Sequence, residues 1–124
     1  MPKTASRKNT VMIVDDDLKI RTIYRQMLEE EGYGIDEAAN GEEAAISVLR
    51  NKGIQVIVLD IDMPMVDGAS FFDLARYCLP KAKVIIASVF HLDEQKRRIP
   101  GADAYHDKIE GPAALMTKIK AMLD

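Results

Sequence analysis

Three short apolar stretches without polar interruptions are the strongest pattern in the chain. They cover residues 11–14, 56–59 and 84–87, and they are rich in valine and isoleucine. Continuous runs of this kind are typical of parallel strands that are covered on both faces. Two weaker segments, residues 34–38 and 104–106, are predicted as the second and fifth strands.

Amphipathic segments separate the apolar runs, and their spacing predicts helices. The first helix is predicted from five apolar residues at positions i, i+3, i+4, i+7 and i+8, which form one stripe on a helical surface. Gly32 follows this helix as a stop signal. The five residues of the stripe are Ile20, Ile23, Tyr24, Met27 and Leu28.

Local start and stop signals mark further helices. Asn40 with Glu43 three positions later is the arrangement of a capping box at the start of the second helix. A third helix is predicted over residues 69–77, a short polar fourth over residues 91–99, and a last one with Pro112 in its first turn. The expected buried positions are Ala45, Val48 and Leu49 in the second helix, Phe71, Leu74 and Ala75 in the third, and Leu115, Ile119 and Met122 in the last.

Strand–helix units repeated five times predict an α/β fold, because parallel strands need crossover helices that cover both faces of the sheet. We expect a doubly wound, five-stranded parallel sheet of the flavodoxin-like type, with strand order 2-1-3-4-5. The pattern assigns residues 10–124 to one domain and residues 1–9 to a flexible N-terminal lead-in.

Composition narrows the class of protein. The chain has 124 residues, of which 48% are hydrophobic and 30% are charged, which is the mix of one soluble globular domain. A net charge of -3 argues against direct nucleic-acid binding, and no apolar run approaches the roughly 18 residues that cross a membrane. The single cysteine, Cys78, fits a reducing compartment, so we expect a cytoplasmic protein.

Polar residues with chemical capability follow the strands at their carboxyl ends, where ligand sites form in such sheets. If strands one and three are neighbours, several carboxylates come close together, and they repel one another unless a cation lies among them. An all-oxygen cluster with room for water suits Mg²⁺. The residues concerned are Asp15 and Asp16 after strand one, Asp60 and Asp62 after strand three, Ser88 after strand four and Lys108 after strand five.

These groups are the components that phosphoryl transfer needs. A carboxylate can act as the nucleophile and hold the phosphoryl group as an acyl phosphate. A divalent cation and a lysine can neutralise the charge on the phosphoryl oxygens.

The same residues resemble the receiver domain of bacterial response regulators, over nearly the whole chain. The segment 11–16 is similar to the first strand of receivers with its acidic pair. The segment 58–64, followed by Asp67 and Gly68, is similar to the phosphoacceptor segment. Gly101-Ala102-Asp103, followed by Tyr105 and Lys108, is similar to the approach to the receiver lysine.

The resemblance implies a role for each site residue. Asp60 would accept a phosphoryl group from a sensor histidine kinase or a histidine phosphotransfer protein. Mg²⁺ (or Mn²⁺) would be bound by Asp16, Asp60 and the backbone carbonyl of Asp62, and by Asp15 through water. Ser88 would bind the phosphoryl group and turn inward on activation, and Tyr105 would follow it. Such a domain is a regulatory phosphoacceptor that assists its own phosphorylation and dephosphorylation, and not an enzyme.

The chain departs from the receiver pattern in four places. Val89 stands where receivers usually have a small residue, and its bulk is expected to slow hydrolysis of the phosphoryl group. Ile109 stands where proline usually follows the lysine, so we expect a trans Lys108–Ile109 peptide bond. The fourth helix is short, and Asp62 adds a carboxylate beside the site.

Other interpretations of these residues stay open. One alternative is a degenerate receiver that serves as an unphosphorylated interaction module, and Val89 and Ile109 are the residues that favour it. Asp60-Ile61-Asp62 also resembles the nucleophile motif of haloacid-dehalogenase-type phosphatases. In those phosphatases, however, the motif sits on the first strand, and here it sits on the third. Asp67 and Gly68 are expected to form a turn, Asp17 to cap a helix, and His91 and His106 to lie on the surface.

Overall fold

The computed structural model describes residues 9–63 and 67–123. Five strands and five α-helices alternate along them, with a short 3-10 helix at Lys108–Glu110 after the last strand. The strands are β1 (Thr10–Val14), β2 (Gly34–Ala38), β3 (Ile54–Leu59), β4 (Lys83–Ser88) and β5 (Ala104–Asp107). The helices are α1 (Leu18–Glu30), α2 (Gly41–Arg50), α3 (Gly68–Cys78), α4 (Leu92–Arg98) and α5 (Pro112–Leu123).

The strands form one parallel sheet in the order β2-β1-β3-β4-β5, so the predicted flavodoxin-like topology is confirmed. The register places Val14 of β1 beside Leu59 of β3. Pairing continues one residue further, because the Asp60 N–H donates to the Val14 carbonyl at 2.9 Å. Asp60, the first residue after β3, therefore lies beside Val14, the residue that precedes Asp15.

Both faces of the sheet are covered, which explains why the strands read as continuous apolar runs. Met12 and Val14 face one core cluster, which includes residues of α2 and α3, whereas Val11 and Ile13 face the other, which includes residues of α1 and α5. All four side chains are buried. Successive side chains of β1 point to opposite faces of the sheet, but both faces are buried, so polar and apolar residues do not alternate along the strand.

For two residues the prediction of burial in the core is wrong. Ile23 of α1 and Leu49 of α2 are 41% and 57% exposed. A helix that lies on a sheet buries a row of residues four apart, which in α2 is Ala44 and Val48. Leu49 is one position further along and is therefore turned about 100° away from that row. In α3, Phe72 is buried in addition to the predicted Phe71 and Ala75.

Local signals set the helix ends much as the sequence predicts. The Asn40 side chain accepts the Glu43 N–H at 2.9 Å, while the Glu43 carboxylate accepts the N–H of Ala39 and not that of Asn40. Asp17 caps α1, and Asp67 caps α3, so the predicted turn at Asp67 is the entry to a helix.

Other expectations about the backbone fall partly within the described residues. No cis peptide bond occurs among those residues, so the Lys108–Ile109 bond is trans as expected. Residues 1–8 of the predicted lead-in and Pro64 of the phosphoacceptor segment lie outside the described residues. Asn9, the last residue of the predicted lead-in, is described, and its carbonyl accepts the Gly34 N–H.

Candidate functional site at the carboxyl edge of the sheet

Lys108 connects the two buried carboxylates at the carboxyl edge of the sheet. Its Nζ lies 2.7 Å from Asp15 Oδ2 and 3.0 Å from Asp60 Oδ2. The lysine follows β5, while the carboxylates follow β1 and β3, which are three and two strands away in the sheet order. The fold thus brings together residues that are 93 and 48 positions apart in the chain.

Asp15, Asp16 and Asp60 form an oxygen cluster that fits a divalent cation. One carboxylate oxygen from each lies within 4.8 Å of the others. Asp15 and Asp60 are buried, whereas Asp16 is exposed. The formal charges of these three carboxylates and Lys108 sum to -2, and hard divalent cations prefer oxygen ligands. The donor set therefore fits Mg²⁺ or Mn²⁺ in chemical type and charge.

Backbone groups hold the two buried carboxylates in place. Asp60 Oδ1 accepts the N–H of Asp62 at 2.8 Å, and Asp15 Oδ1 accepts the N–H of Asp17 at 2.9 Å. The Asp62 side chain itself is exposed and is not one of the three carboxylates in the cluster. Asp62 therefore contacts the site through its backbone.

The environment shifts the pKa values of Asp60 and Lys108. Burial raises the pKa of Asp60, although the Asp62 N–H and the charge of Lys108 act in the opposite direction. Burial alone would lower the pKa of Lys108, but its hydrogen bond to Asp15 and the charges of both aspartates raise it overall. One ammonium shared by two carboxylates stays charged, while Asp60 retains a net cost of ionisation.

Ser88 and Tyr105 lie in the described structure but bond to groups other than the carboxylates. Ser88 is fully buried at the end of β4, and its Oγ accepts the Phe90 N–H at 3.1 Å. The Tyr105 hydroxyl donates to the Ile99 carbonyl at 2.6 Å and accepts the Ala102 N–H at 3.2 Å. The Ser88 hydroxyl is thus bonded within the loop that follows β4, and the Tyr105 hydroxyl is bonded to the segment that follows α4.

The expectation that both histidines lie on the surface is wrong for His106. His106 is fully buried on β5, with Nδ1 3.2 Å from Lys118 Nζ of α5, and burial lowers its pKa. β5 is an edge strand of the sheet, and Lys118 of α5 lies against His106 there. His91 is exposed, as expected, and its Nδ1 lies 3.1 Å from Asp107 Oδ2.

Gln95 of α4 is a site-related residue that the sequence analysis missed. Its side chain is fully buried, and its Nε2 bonds to carbonyls of both the loop after β4 and strand β5. Most of the residues of α4 are polar, so no periodic pattern distinguishes this one.

A parallel sheet of this order, with two buried aspartates and a lysine that meet at its carboxyl edge, has the features on which the resemblance to receiver domains rests. The family model for the response regulator receiver domain matches residues 11–120. The chain therefore belongs to the receiver-domain family, as the sequence resemblance predicts.

Individual relatives agree with this assignment. The transcriptional regulatory protein ResD of Bacillus subtilis is 32% identical over 122 residues, which are 95% of this chain and 49% of ResD. A CheY-like receiver domain protein from Methanospirillum hungatei is 31% identical, with a TM-score of 0.86 over 94% of both chains. TrrA from Thermotoga maritima, in complex with Mg(2+)-BeF, is 31% identical, with a TM-score of 0.81 over 92% of this chain and 98% of TrrA.

The chain spans about half the length of the curated relatives that it matches. Within the described residues, no helix is both long enough and apolar enough to cross a membrane.

Proposed function

We propose that this receiver domain is a signalling switch that accepts a phosphoryl group on Asp60 from a sensor histidine kinase or a histidine phosphotransfer protein, with the help of Mg²⁺ or Mn²⁺. The observation that carries the proposal is the Lys108 ammonium, which lies within 3.0 Å of both Asp15 and Asp60 beside a third carboxylate. This is the minimum set for a carboxylate nucleophile with charge compensation.

The residues divide the work of transfer among them. An Asp60 oxygen forms a bond to phosphorus as the bond from phosphorus to the donor's nitrogen or oxygen breaks, and the leaving group takes up a proton. Burial makes the Asp60 carboxylate more basic, which favours it as a nucleophile. Lys108, at hydrogen-bond distance from Asp60, can donate to an oxygen of the transferred group.

A divalent cation would be held at the same edge. Asp16, Asp60 and the backbone carbonyl of Asp62 are proposed as direct ligands, with Asp15 acting through water. When bound, the cation supplies positive charge to the equatorial oxygens of the phosphoryl group.

Ser88 and Tyr105 are proposed to convert phosphorylation into a change of surface. Ser88 follows β4 and would turn its hydroxyl toward the phosphoryl group. Tyr105 would then change its side-chain rotamer, which requires release of its hydrogen bonds to Ile99 and Ala102. The proposed output is a changed surface formed by α4, β5 and α5.

One measurement on the wild-type protein separates this function from the two alternatives. The protein is incubated with Mg²⁺ and acetyl phosphate, and its intact mass is recorded over time. We expect one phosphoryl group to accumulate on the protein. Turnover of acetyl phosphate without accumulation would indicate a phosphatase, and an unchanged mass with no turnover would indicate a degenerate interaction module.

Val89 provides a test of how the loop after β4 protects the phosphoryl group. Its side chain is 61% exposed, so replacing it should change access to the site with little effect on packing. We expect Val89→Ala to shorten the phosphoryl lifetime by up to about tenfold, or about 1.4 kcal/mol in the hydrolysis barrier. Decay of the added mass after removal of the phosphodonor measures this lifetime. A longer or unchanged lifetime would contradict shielding by Val89.

A further inference from the structure

Gln95 ties the loop after β4 to strand β5. Its Nε2 donates to the Phe90 carbonyl at 2.7 Å and to the His106 carbonyl at 2.9 Å, and the Ser88 carbonyl lies at 3.5 Å. Carbonyl oxygens only accept hydrogen bonds, so the nitrogen of the carboxamide has to face them. The position of Oε1 on the other branch is fixed by the same contacts.

The other half of this carboxamide has no partner. Gln95 Oε1 is buried and accepts no hydrogen bond from any described residue. Buried acceptors without a partner are rare in folded proteins, and a specific one calls for an explanation. A second arrangement of the neighbouring loop, in which Oε1 gains a donor, would supply that explanation.

The neighbouring loop contains a donor that the proposed switch would release. In this structure the Phe90 N–H donates to Ser88 Oγ. If Ser88 Oγ turns to the phosphoryl group, the Phe90 N–H loses its acceptor within a partly buried loop. Gln95 is already bonded to the carbonyl of Phe90, so its unpaired oxygen belongs to a group in contact with that residue.

We propose that Gln95 is a positioning residue whose Oε1 accepts the Phe90 N–H when Ser88 Oγ leaves it for the phosphoryl group. The inference rests on the proposed function, because it needs Ser88 to move. The exchange of acceptors lowers the cost of the Ser88 movement, while the two strong Nε2 bonds keep the loop attached to β5. Gln95 thereby favours the phosphorylated arrangement without contacting the phosphoryl group.

The test uses Mg²⁺ with beryllofluoride, which mimics an acyl phosphate on aspartate. Gln95→Met keeps the length of the side chain and removes its donor and acceptor, and Gln26→Met makes the same change at an exposed position of α1. We expect Gln95→Met to weaken beryllofluoride binding by up to about tenfold, the scale of one neutral hydrogen bond. Gln26→Met should bind as the wild type does. Hydrogen exchange of the Phe90 amide in the bound state should be slow in the wild type and fast in Gln95→Met.

A Ser88→Ala background separates the proposed role of Gln95 from a purely structural one. In a Ser88→Ala background the Phe90 N–H lacks the serine acceptor in both states, so Gln95→Met should no longer change the affinity. Equal weakening in both backgrounds, or a Phe90 amide that stays protected in Gln95→Met, overturns the inference.

A measurement on the wild type keeps the test independent of any folding defect in Gln95→Met. Once Ser88 Oγ has left the Phe90 N–H in the beryllofluoride-bound state, that amide should stay protected because Gln95 Oε1 accepts it; rapid exchange of the Phe90 amide in the bound wild type overturns the inference. If the wild type does not bind beryllofluoride, the proposed function fails and the inference fails with it. If the wild type binds and Gln95→Met binds equally well, only the inference fails.

Discussion

Replacing Asp60 by Asn is expected to abolish phosphoryl labelling by acetyl phosphate in the presence of Mg²⁺. An amide oxygen is a poor nucleophile, so the substitution removes the proposed acceptor. Asp15 is also buried beside Lys108 and accepts a backbone N–H, and the resemblance of residues 58–64 to the phosphoacceptor segment selects Asp60 over Asp15. Asp60 is buried, contacts Lys108 at 3.0 Å and accepts the Asp62 N–H. Asp15→Asn should only weaken labelling, because Asp15 is proposed to act on the cation through water. Intact mass after a fixed incubation measures the extent of labelling in each variant.

A matched substitution away from the site provides the control. Asp73→Asn makes the same change at an exposed position of α3 and should leave labelling at the wild-type level. Full labelling of Asp60→Asn would place the phosphoryl group on another residue and end the assignment.

The meeting of Asp15, Asp60 and Lys108 was predictable because parallel strands align their carboxyl ends at one edge of the sheet. The strand order then decides which ends are neighbours, and the flavodoxin-like order expected from the repeated strand–helix units is the one observed. Each of these residues directly follows a strand or, for Lys108, begins the 3-10 helix after one. Their places were therefore determined by the same pattern that predicted the fold.

Burial of individual polar residues was not predictable, because it depends on how helices lie on the sheet. His106 looks like an isolated polar residue near the end of a short strand, yet it is fully buried, with contacts from Lys118 of α5 and Gln95 of α4. Gln95 is one polar residue among many in α4, and the packing of that helix alone selects it for the interior. The burial of His106 and of Gln95 therefore cannot be predicted from the spacing of the apolar residues.

The largest expected effect on stability comes from the same Asp60→Asn substitution, measured by chemical denaturation in the presence of a chelator. Asparagine keeps the Oδ1 that accepts the Asp62 N–H, so the change removes mainly the charge. Oxygen atoms of Asp15, Asp16 and Asp60 lie within 4.8 Å of one another. Like charges at that distance repel by about 1 kcal/mol even at the dielectric constant of water. Lys108, 3.0 Å from Asp60, offsets part of this repulsion, but the raised pKa of Asp60 shows that burial leaves a net cost of ionisation. Asp60→Asn should therefore raise the free energy of unfolding by about 1 kcal/mol.

The gain should depend on pH in a defined direction. Folding raises the pKa of Asp60 above its ordinary value of 3.8, chiefly through burial. The ionised carboxylate is then less favourable in the folded state than in the unfolded state. This cost is fully present above the folded-state pKa and disappears as the pH falls through it and below the unfolded value. The advantage of Asp60→Asn should accordingly be greatest near neutral pH and decline in acid.

Mg²⁺ should reverse the ranking of the two proteins. A ligand that binds only the folded state stabilises it by RT ln(1 + [L]/Kd), about 2.7 kcal/mol at a hundredfold excess over Kd. The wild type should gain this stabilisation, whereas Asp60→Asn, which lacks a proposed ligand, should lose most of it. Asp73→Asn should follow the wild type in chelator and in Mg²⁺. Effects of opposite sign with and without the cation are not expected from an ordinary surface substitution. If Asp60→Asn lowers stability in chelator and Mg²⁺ shifts both proteins equally, the three carboxylates do not act as one metal site.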